Sequence, residues 1–393
     1  MNREQKLFLQ ILADHLEGRV TIPVEDINWH DLTSISRKHQ LNGIVFFQCK
    51  TFMPVDVKSH FEKYYGGSLF CYINWEKEYR DIQEKYNKIG LPYYIIKGIP
   101  VAKCYPIPAL RTMGDMDIIV QREDKEIAGQ ALEALGFQIA NKNPEYEWQF
   151  IHNDMHFELH HQLIYNEAVT LKKQADFFNN SWRYVVDGKL DWSFHFLFLI
   201  AHLRKHILNS GAGFRMFLDI AAVIQRNPGL DWLWINNKLD ELDMGKFSRV
   251  CFALIDDWFG VKSPIDYPDL NERFLEQATE KTFANGIFGF DKESNKQNAV
   301  INSILSKAKS RKISRIKMVL SYMFPQYINM RYISCYQFVD GKPWLLPLAW
   351  IFRFLRLVSG KTRGILVFWQ KVKIPDEIVD DREKELRLWG LME

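Results

Sequence analysis

Residues 112–120, TMGDMDIIV, put two aspartates, Asp115 and Asp117, at the start of a hydrophobic run. Alternate residues of a strand share a face, so both carboxylates point the same way. Neighbouring carboxylates repel, and burying them is costly unless a cation offsets their charge. A third carboxylate, Glu158, sits in MHFELHHQL, where Phe157 and Leu159 take the other face of a second strand. If the two strands are neighbours, the three acids form an oxygen-rich cage at the rim of a sheet. Hard cations such as Mg²⁺ choose such ligands and usually take phosphate oxygens as well. Two such ions can hold the attacking and leaving oxygens of an in-line phosphoryl displacement. The plainer alternatives are a solvated strand start for Asp115 and Asp117, and an exposed strand residue for Glu158.

The elements that must position these residues are legible as a change of period. Residues 1–88 read mostly as helix, with apolar residues of EQKLFLQILADHL at helical spacing. WEKEYRDIQEKYNKIG is a second helix, closed by Gly90. LPYYIIKG (91–98) is a short strand running into a glycine turn, and PVAKCY (100–105) a short helix with Pro100 in its first turn. DMDIIV (115–120) is a buried strand, and 122–137 an amphipathic helix stopped by Gly136. EWQFIH and MHFELHHQL, joined at Asn153-Asp154, read as a hairpin. The order predicts an α+β fold: a small mixed sheet between N-terminal helices and a larger C-terminal helical part. The expected divisions are 1–88 helical, 89–170 the α+β core, 171–300 helical, and 301–393 a basic helical region.

Composition narrows the class. Of 393 residues, 47% are hydrophobic and 25% charged, which are globular values. The five cysteines are scattered with no Cys-x-x-Cys pair, which argues for reduced, cytoplasmic usage. MNREQKLFLQ lacks the apolar run of a signal peptide, and WLLPLAWIF is about half the length of a membrane span. The formal net charge of +3 conceals an asymmetry: residues 301–372 carry 13 Lys and Arg against one acid, Asp340. Such a segment suits a polyanionic partner, an anionic membrane surface, or simply a solvated helical face. Nucleic acid is not expected as a partner, because no RNA- or DNA-binding motif accompanies the charge. Tyr322, Phe324 and Tyr327 in the same region read as core.

The order YYIIKG, LRTMGDMDIIV, HFELHHQL resembles the nucleotidyltransferase superfamily of DNA polymerase β type. It is most similar to a bacterial branch in which a Lys-Gly turn precedes an Arg and an Asp-x-Asp strand. LFLIAHLRKHILNSGAGFRMFLDIAAVI and MFPQYINMRYI extend the resemblance over most of the chain. The resemblance implies that Asp115 and Asp117 bind metal, and that Glu158 binds metal or acts as base toward an acceptor hydroxyl. It places Gly98 at the phosphate-binding turn. A Gly-Ser or Gly-Gly pair is usual there, whereas this chain has Lys97-Gly98-Ile99. Lys97 would supply charge in place of the serine, and Arg111 a bidentate fork. The alternatives are a surface lysine at 97, and at 111 a loop arginine that pairs structurally with an aspartate.

His202 and His206 share one helix face, with His195 nearby. HLRKH lacks the Glu of a His-Glu-x-x-His metalloprotease helix. The histidines therefore read as helix packing, or, following the resemblance, as acceptor contacts together with Asp219. HFE (156–158) has no Pro-Cys-x-x-Cys of a deaminase, and SGKT (359–362) lacks the first glycine of a phosphate loop. The expectation is a Mg²⁺-dependent nucleotidyltransferase that moves a nucleoside monophosphate from a nucleoside triphosphate, ATP among the candidates, to a small molecule, sugar or protein. The alternatives are an inert nucleotide- or anion-binding adaptor, and a kinase transferring the γ-phosphoryl group.

Overall fold

The computed structural model describes residues 1–23, 26–142, 147–164, 171–227, 229–286, 301, 302, 305, 320, 323–330, 334–358 and 374–392. Contacts divide the chain into two units, residues 1–290 with 389–391, and residues 291–388 with 392–393. The first unit is α+β, as the sequence predicts. Helices α1 (Arg3–Glu17), α2 (Trp29–Lys38), α3 (Asn42–Cys49) and α4 (Val55–Lys88) lead into β1 (Tyr93–Ile96), the short helix α5 (Gly98–Ala102) and β2 (Asp115–Val120). Helix α6 (Lys125–Glu133) and strands β3 (Gln138–Lys142), β4 (Trp148–His152) and β5 (Met155–His160) complete the sheet. After α7 (Lys172–Asn179) and a small hairpin, β6 (Val185–Val186) and β7 (Lys189–Leu190), come helices α8 (Trp192–Asn209), α9 (Phe214–Arg226), α10 (Trp232–Glu241), α11 (Gly245–Phe259) and α12 (Glu272–Asn285).

The sheet order is β1-β2-β5-β4-β3. β2 pairs antiparallel with β1 and parallel with β5, which brings Asp117 opposite Glu158. β4 and β5 form the expected hairpin, and its turn residues Asn153 and Asp154 both have positive φ, as a two-residue type I′ turn requires. The sheet residues sort by the two-residue period. Met116, Ile118, Val120, Phe157 and Leu159 join one apolar cluster with Trp75, Ile82 and Tyr86 of α4 and Ala128, Ala131 and Leu132 of α6. The opposite face contributes Tyr94, Ile96 and Ile119 to the main core, which also holds α1, α3, α8, α9 and α11. Asp115, Asp117, Glu158 and His160 fall on this second face, between sheet and C-terminal helices, by strand alternation alone.

The glycines of two helices are used in opposite ways. Gly129 of α6 lies against Trp148, whose ring carbon would stand 2.7 Å from an added Cβ. Gly66 and Gly67, in the middle of the 34-residue α4, have nothing within 4 Å of that position. Helix-interior glycine costs about 1 kcal/mol relative to alanine. Gly67→Ala is therefore expected to stabilise the fold by about that amount, and Gly129→Ala to destabilise it; urea unfolding of the two variants gives opposite signs.

Buried histidines add a pH dependence. Burial first, then Arg226, holds His15 down to about 4, and burial with Lys38 holds His39 down to about 3. His39 packs among Phe8, Phe214 and Phe283. Both are neutral in the fold but gain a proton on unfolding below about 6.5, so the unfolded chain binds more protons. Stability from these groups is complete above pH 6.5 and falls as the pH drops toward 4, by about 1.4 kcal/mol per pH unit per group. Urea titrations between pH 7 and 4 should show this decline, with a smaller slope in His39→Phe.

In the second unit, helices Tyr327–Met330, Leu346–Val358 and Asp376–Leu388 are described. Tyr327 packs on a small core of Met330, Tyr336, Val339 and Ala349, whereas Phe324 is half exposed beside Trp350. Tyr322, SGKT and most of the basic stretch lie outside the described residues. No helix among the described residues is long and apolar enough to cross a membrane.

Candidate active site

The chain leaves β1 through Lys97, whose backbone (φ 58, ψ −128) lies in a region that side chains other than glycine rarely adopt. This turn aims the Lys97 N–H at His195 Nε2, 3.0 Å away on α8. The histidine accepts, so its proton is on Nδ1. Burial, reinforced by the Lys97 and Arg111 charges, holds its pKa down to about 3 and keeps the ring neutral. The turn also swings the lysine side chain back over the sheet. Its Nζ lies 3.0 Å from Asp117 Oδ2 and 5.7 Å from the Phe198 ring centroid. Burial opposes the lysine charge, but Asp117 and Asp115 outweigh it and hold the pKa above its usual value.

Asp117 receives a second cationic partner from the neighbouring strand. His160 Nε2 lies 3.0 Å from Asp117 Oδ1 and 3.2 Å from Glu158 Oε2. Burial works against charge at Asp117, yet Lys97 and His160 hold its carboxyl well below the usual range. Burial also works against protonation of His160, but its bonds to Asp117 and Glu158 raise it to about 9. Asp115 is the most open of the set, and desolvation together with Asp117 pushes its carboxyl upward. Asp117, Glu158 and His160 each offer one donor atom, all within 4.8 Å of one another. Two carboxylate oxygens and an imidazole nitrogen at that spacing fit a divalent cation, which would take the place of the proton that His160 shares with the two carboxylates.

Arg111 follows the plainer of its two expected readings. Its Nε donates to Asp219 Oδ1 at 2.7 Å and its Nη2 to Oδ2 at 2.8 Å, while Nη1 reaches the Gly98 carbonyl at 3.3 Å. Tyr105 also donates to Asp219 Oδ1, at 2.7 Å. The fork expected to meet phosphate is engaged here by a buried carboxylate on α9. Arg111 and Asp219 thus tie the Lys97-Gly98 turn to the helical part.

A cleft of about 230 Å³ opens beside these residues, lined by Lys97, Gly98, Asp115, His202, His206 and Arg215, with Arg111 and Asp219 in its wall. The sequence-predicted residues of the turn, the Asp-x-Asp strand and α8–α9 thus meet at one place. Asp115 lines the cleft, whereas Asp117 and Glu158, side by side on β2 and β5 and both bonded to His160, do not. The His202 and His206 rings are 4.6 Å apart, and burial with the Lys97 charge lowers both pKa values, to about 4 for His206. Both line the cleft as neutral rings. A second cleft, of about 480 Å³, shares Arg111–Met113 in its lining with Tyr64, Gly67, Tyr72 and Trp75 of α4.

Two site residues escape the sequence reading. His160 is two places after Glu158 in the quoted strand, so period-two alternation was the available signal. Arg215, in GFRMFLD, carries no local signal at all.

A family model described as "uncharacterised nucleotidyltransferase" matches residues 25–260, from the N-terminal helices through the sheet to α11. No curated protein and no solved structure matches the chain. The matched span covers more than half the chain and contains every residue of the cluster and cleft. The chain belongs to this nucleotidyltransferase family.

Proposed function

We propose that the protein is a divalent-metal-dependent nucleotidyltransferase on a scaffold of DNA polymerase β type. The observation that carries this reading is the meeting of Asp117, Glu158 and His160 within 4.8 Å, next to the Lys97-Gly98 turn and a cationic cleft. Asp115, Asp117 and Glu158, with His160, would hold one or two ions, Mg²⁺ being the expected one. A bound divalent cation supplies charge neutralisation and in-line orientation of the phosphates. Lys97 and the backbone of Gly98 hold the phosphate tail at the turn. His195 fixes that turn by accepting the Lys97 N–H, and the Arg111–Asp219 pair fixes it from the other side. The oxygen of an acceptor hydroxyl forms the new bond to the α-phosphorus, the bond to the pyrophosphate oxygen breaks, and pyrophosphate leaves. Glu158 would take the hydroxyl proton, or serve as a further ligand to the ion. His202, His206 and Asp219 form the wall on which the acceptor, whether small molecule, sugar or protein, would rest.

A second reading, an adaptor that binds an anion without turnover, is favoured by one feature: Ile99 stands where a hydroxyl side chain is usual, and Lys97 is already engaged by Asp117. Calorimetry with ATP, CTP, GTP and UTP, each with and without Mg²⁺ or Mn²⁺, separates the two. Triphosphate binding that requires the cation, with pyrophosphate as the released product, supports the transferase. Binding indifferent to the cation supports the adaptor. Release of nucleoside diphosphate would instead mark γ-phosphoryl transfer.

A further inference from the structure

The cations of the cleft differ in what neutralises them. Lys97 is paired with Asp117, and Arg111 with Asp219. Arg215, in the first turn of α9, has only neutral hydrogen-bond partners among the described residues: its Nη1 donates to the Thr112 carbonyl and to Thr112 Oγ1, both at 3.2 Å. Its Nε is buried and has no hydrogen-bond partner among the described residues. Asp115 and Asp219 are near enough to favour its charge, but burial and then the Arg111 charge outweigh them and lower its pKa. A guanidinium carries five N–H donors, and a buried charge is expensive unless an opposite charge meets it. No side chain caps α9 at Gly213, so the positive end of the helix dipole adds to the same corner. The fold thus keeps an uncompensated cation in the wall of the cleft that Lys97, Gly98 and Asp115 also line.

We propose that Arg215 is the phosphate-holding guanidinium of this protein, taking the terminal part of a polyphosphate chain in the cleft. That the polyphosphate belongs to a nucleotide rests on the transferase reading; that the site takes a polyphosphate anion does not. A volume of about 230 Å³ suits a phosphate tail better than a whole nucleotide, whose base and sugar would lie outside it. Arg215 therefore fills the role that the sequence suggested for Arg111.

The test uses inorganic tripolyphosphate and, separately, ATP with Mn²⁺, titrated into the full chain and into Arg215→Gln and Arg215→Lys. Tripolyphosphate should bind the parent protein and raise its melting temperature. Arg215→Gln should weaken that binding by roughly 10- to 100-fold and abolish the melting shift. Arg215→Lys, which keeps charge but not the fork, should fall between the two. Without anion, Arg215→Gln should melt at the same temperature as the parent or higher, since it removes an unneutralised, half-buried charge. A variant that melts well below the parent yet binds tripolyphosphate equally well would show a structural role and overturn the proposal. So would a parent protein that does not bind tripolyphosphate, or an Arg215→Lys affinity equal to the parent's. If tripolyphosphate binds through Arg215 but ATP with Mn²⁺ does not bind, the anion site stands and the transferase reading falls. If ATP with Mn²⁺ binds undiminished in Arg215→Gln, the transferase reading stands and the anion site falls.

Discussion

Asp117→Asn is expected to lower divalent-cation affinity at least about 100-fold and to abolish pyrophosphate release from nucleoside triphosphates. The expectation rests on position. Asp117 is the residue that Lys97, His160 and the β2–β5 pairing all address, with one carboxylate oxygen turned to each cation. The amide keeps the shape but has no charge to set against a cation, and one of its two atoms becomes a donor facing Lys97 or His160. Calorimetry with Mn²⁺ checks the affinity, and circular dichroism checks that the fold survives. A variant with parental metal affinity would remove Asp117 from the metal site. Glu158→Gln at the more open partner should lose turnover with a smaller loss of cation affinity, if its part is to accept the acceptor's proton.

Breaking the Arg111–Asp219 pair should give the largest loss of stability. Both side chains are buried, and the bidentate contact joins a loop before β2 to a helix 108 positions later. Removing one partner leaves the other charge in a low-dielectric interior, a cost of about 3–5 kcal/mol for buried pairs. Asp219→Ala is the harsher choice, because it strands Arg111 and Tyr105 together. The double variant Arg111→Met/Asp219→Leu removes both charges and should recover much of the loss. Urea unfolding of the parent, single and double variants measures it. Equal stability of single and double variants would show that the interior charge is not the source.

The strand with the two aspartates was legible because its residues obey two rules at once. A run of three apolar residues, Ile118 to Val120, marks it as buried, and the acids sit at the one end where alternation keeps them on a shared face. Its bounds, and the hairpin turn at Asn153-Asp154, agree with expectation for that reason. β3 was not legible: all five residues, Gln138–Lys142, are exposed at the sheet edge and show no alternation. Which strand lies beside β2 was a condition in the sequence reading, and the parallel register that sets Asp117 against Glu158 is a tertiary fact. The partner of Arg111 and the isolation of Arg215 are tertiary facts too, decided by packing of α9 against the turn. Lys97 was visible as a candidate, but its left-handed backbone and its pairing to Asp117 were not, since lysine gives no hint of either.

The parallel joining of β2 to β5 has a consequence for how the site comes into being. Its two halves, such as Asp117 and His160, are 43 positions apart, and α6, β3 and β4 all lie in the chain between them. A nascent chain can wind every helix and close the β4–β5 turn while the acids remain strangers. Only when the intervening excursion folds back does the carboxylate cluster exist, so the capacity to hold a cation arrives with the most distant strand pairing in the sheet, not with its local parts.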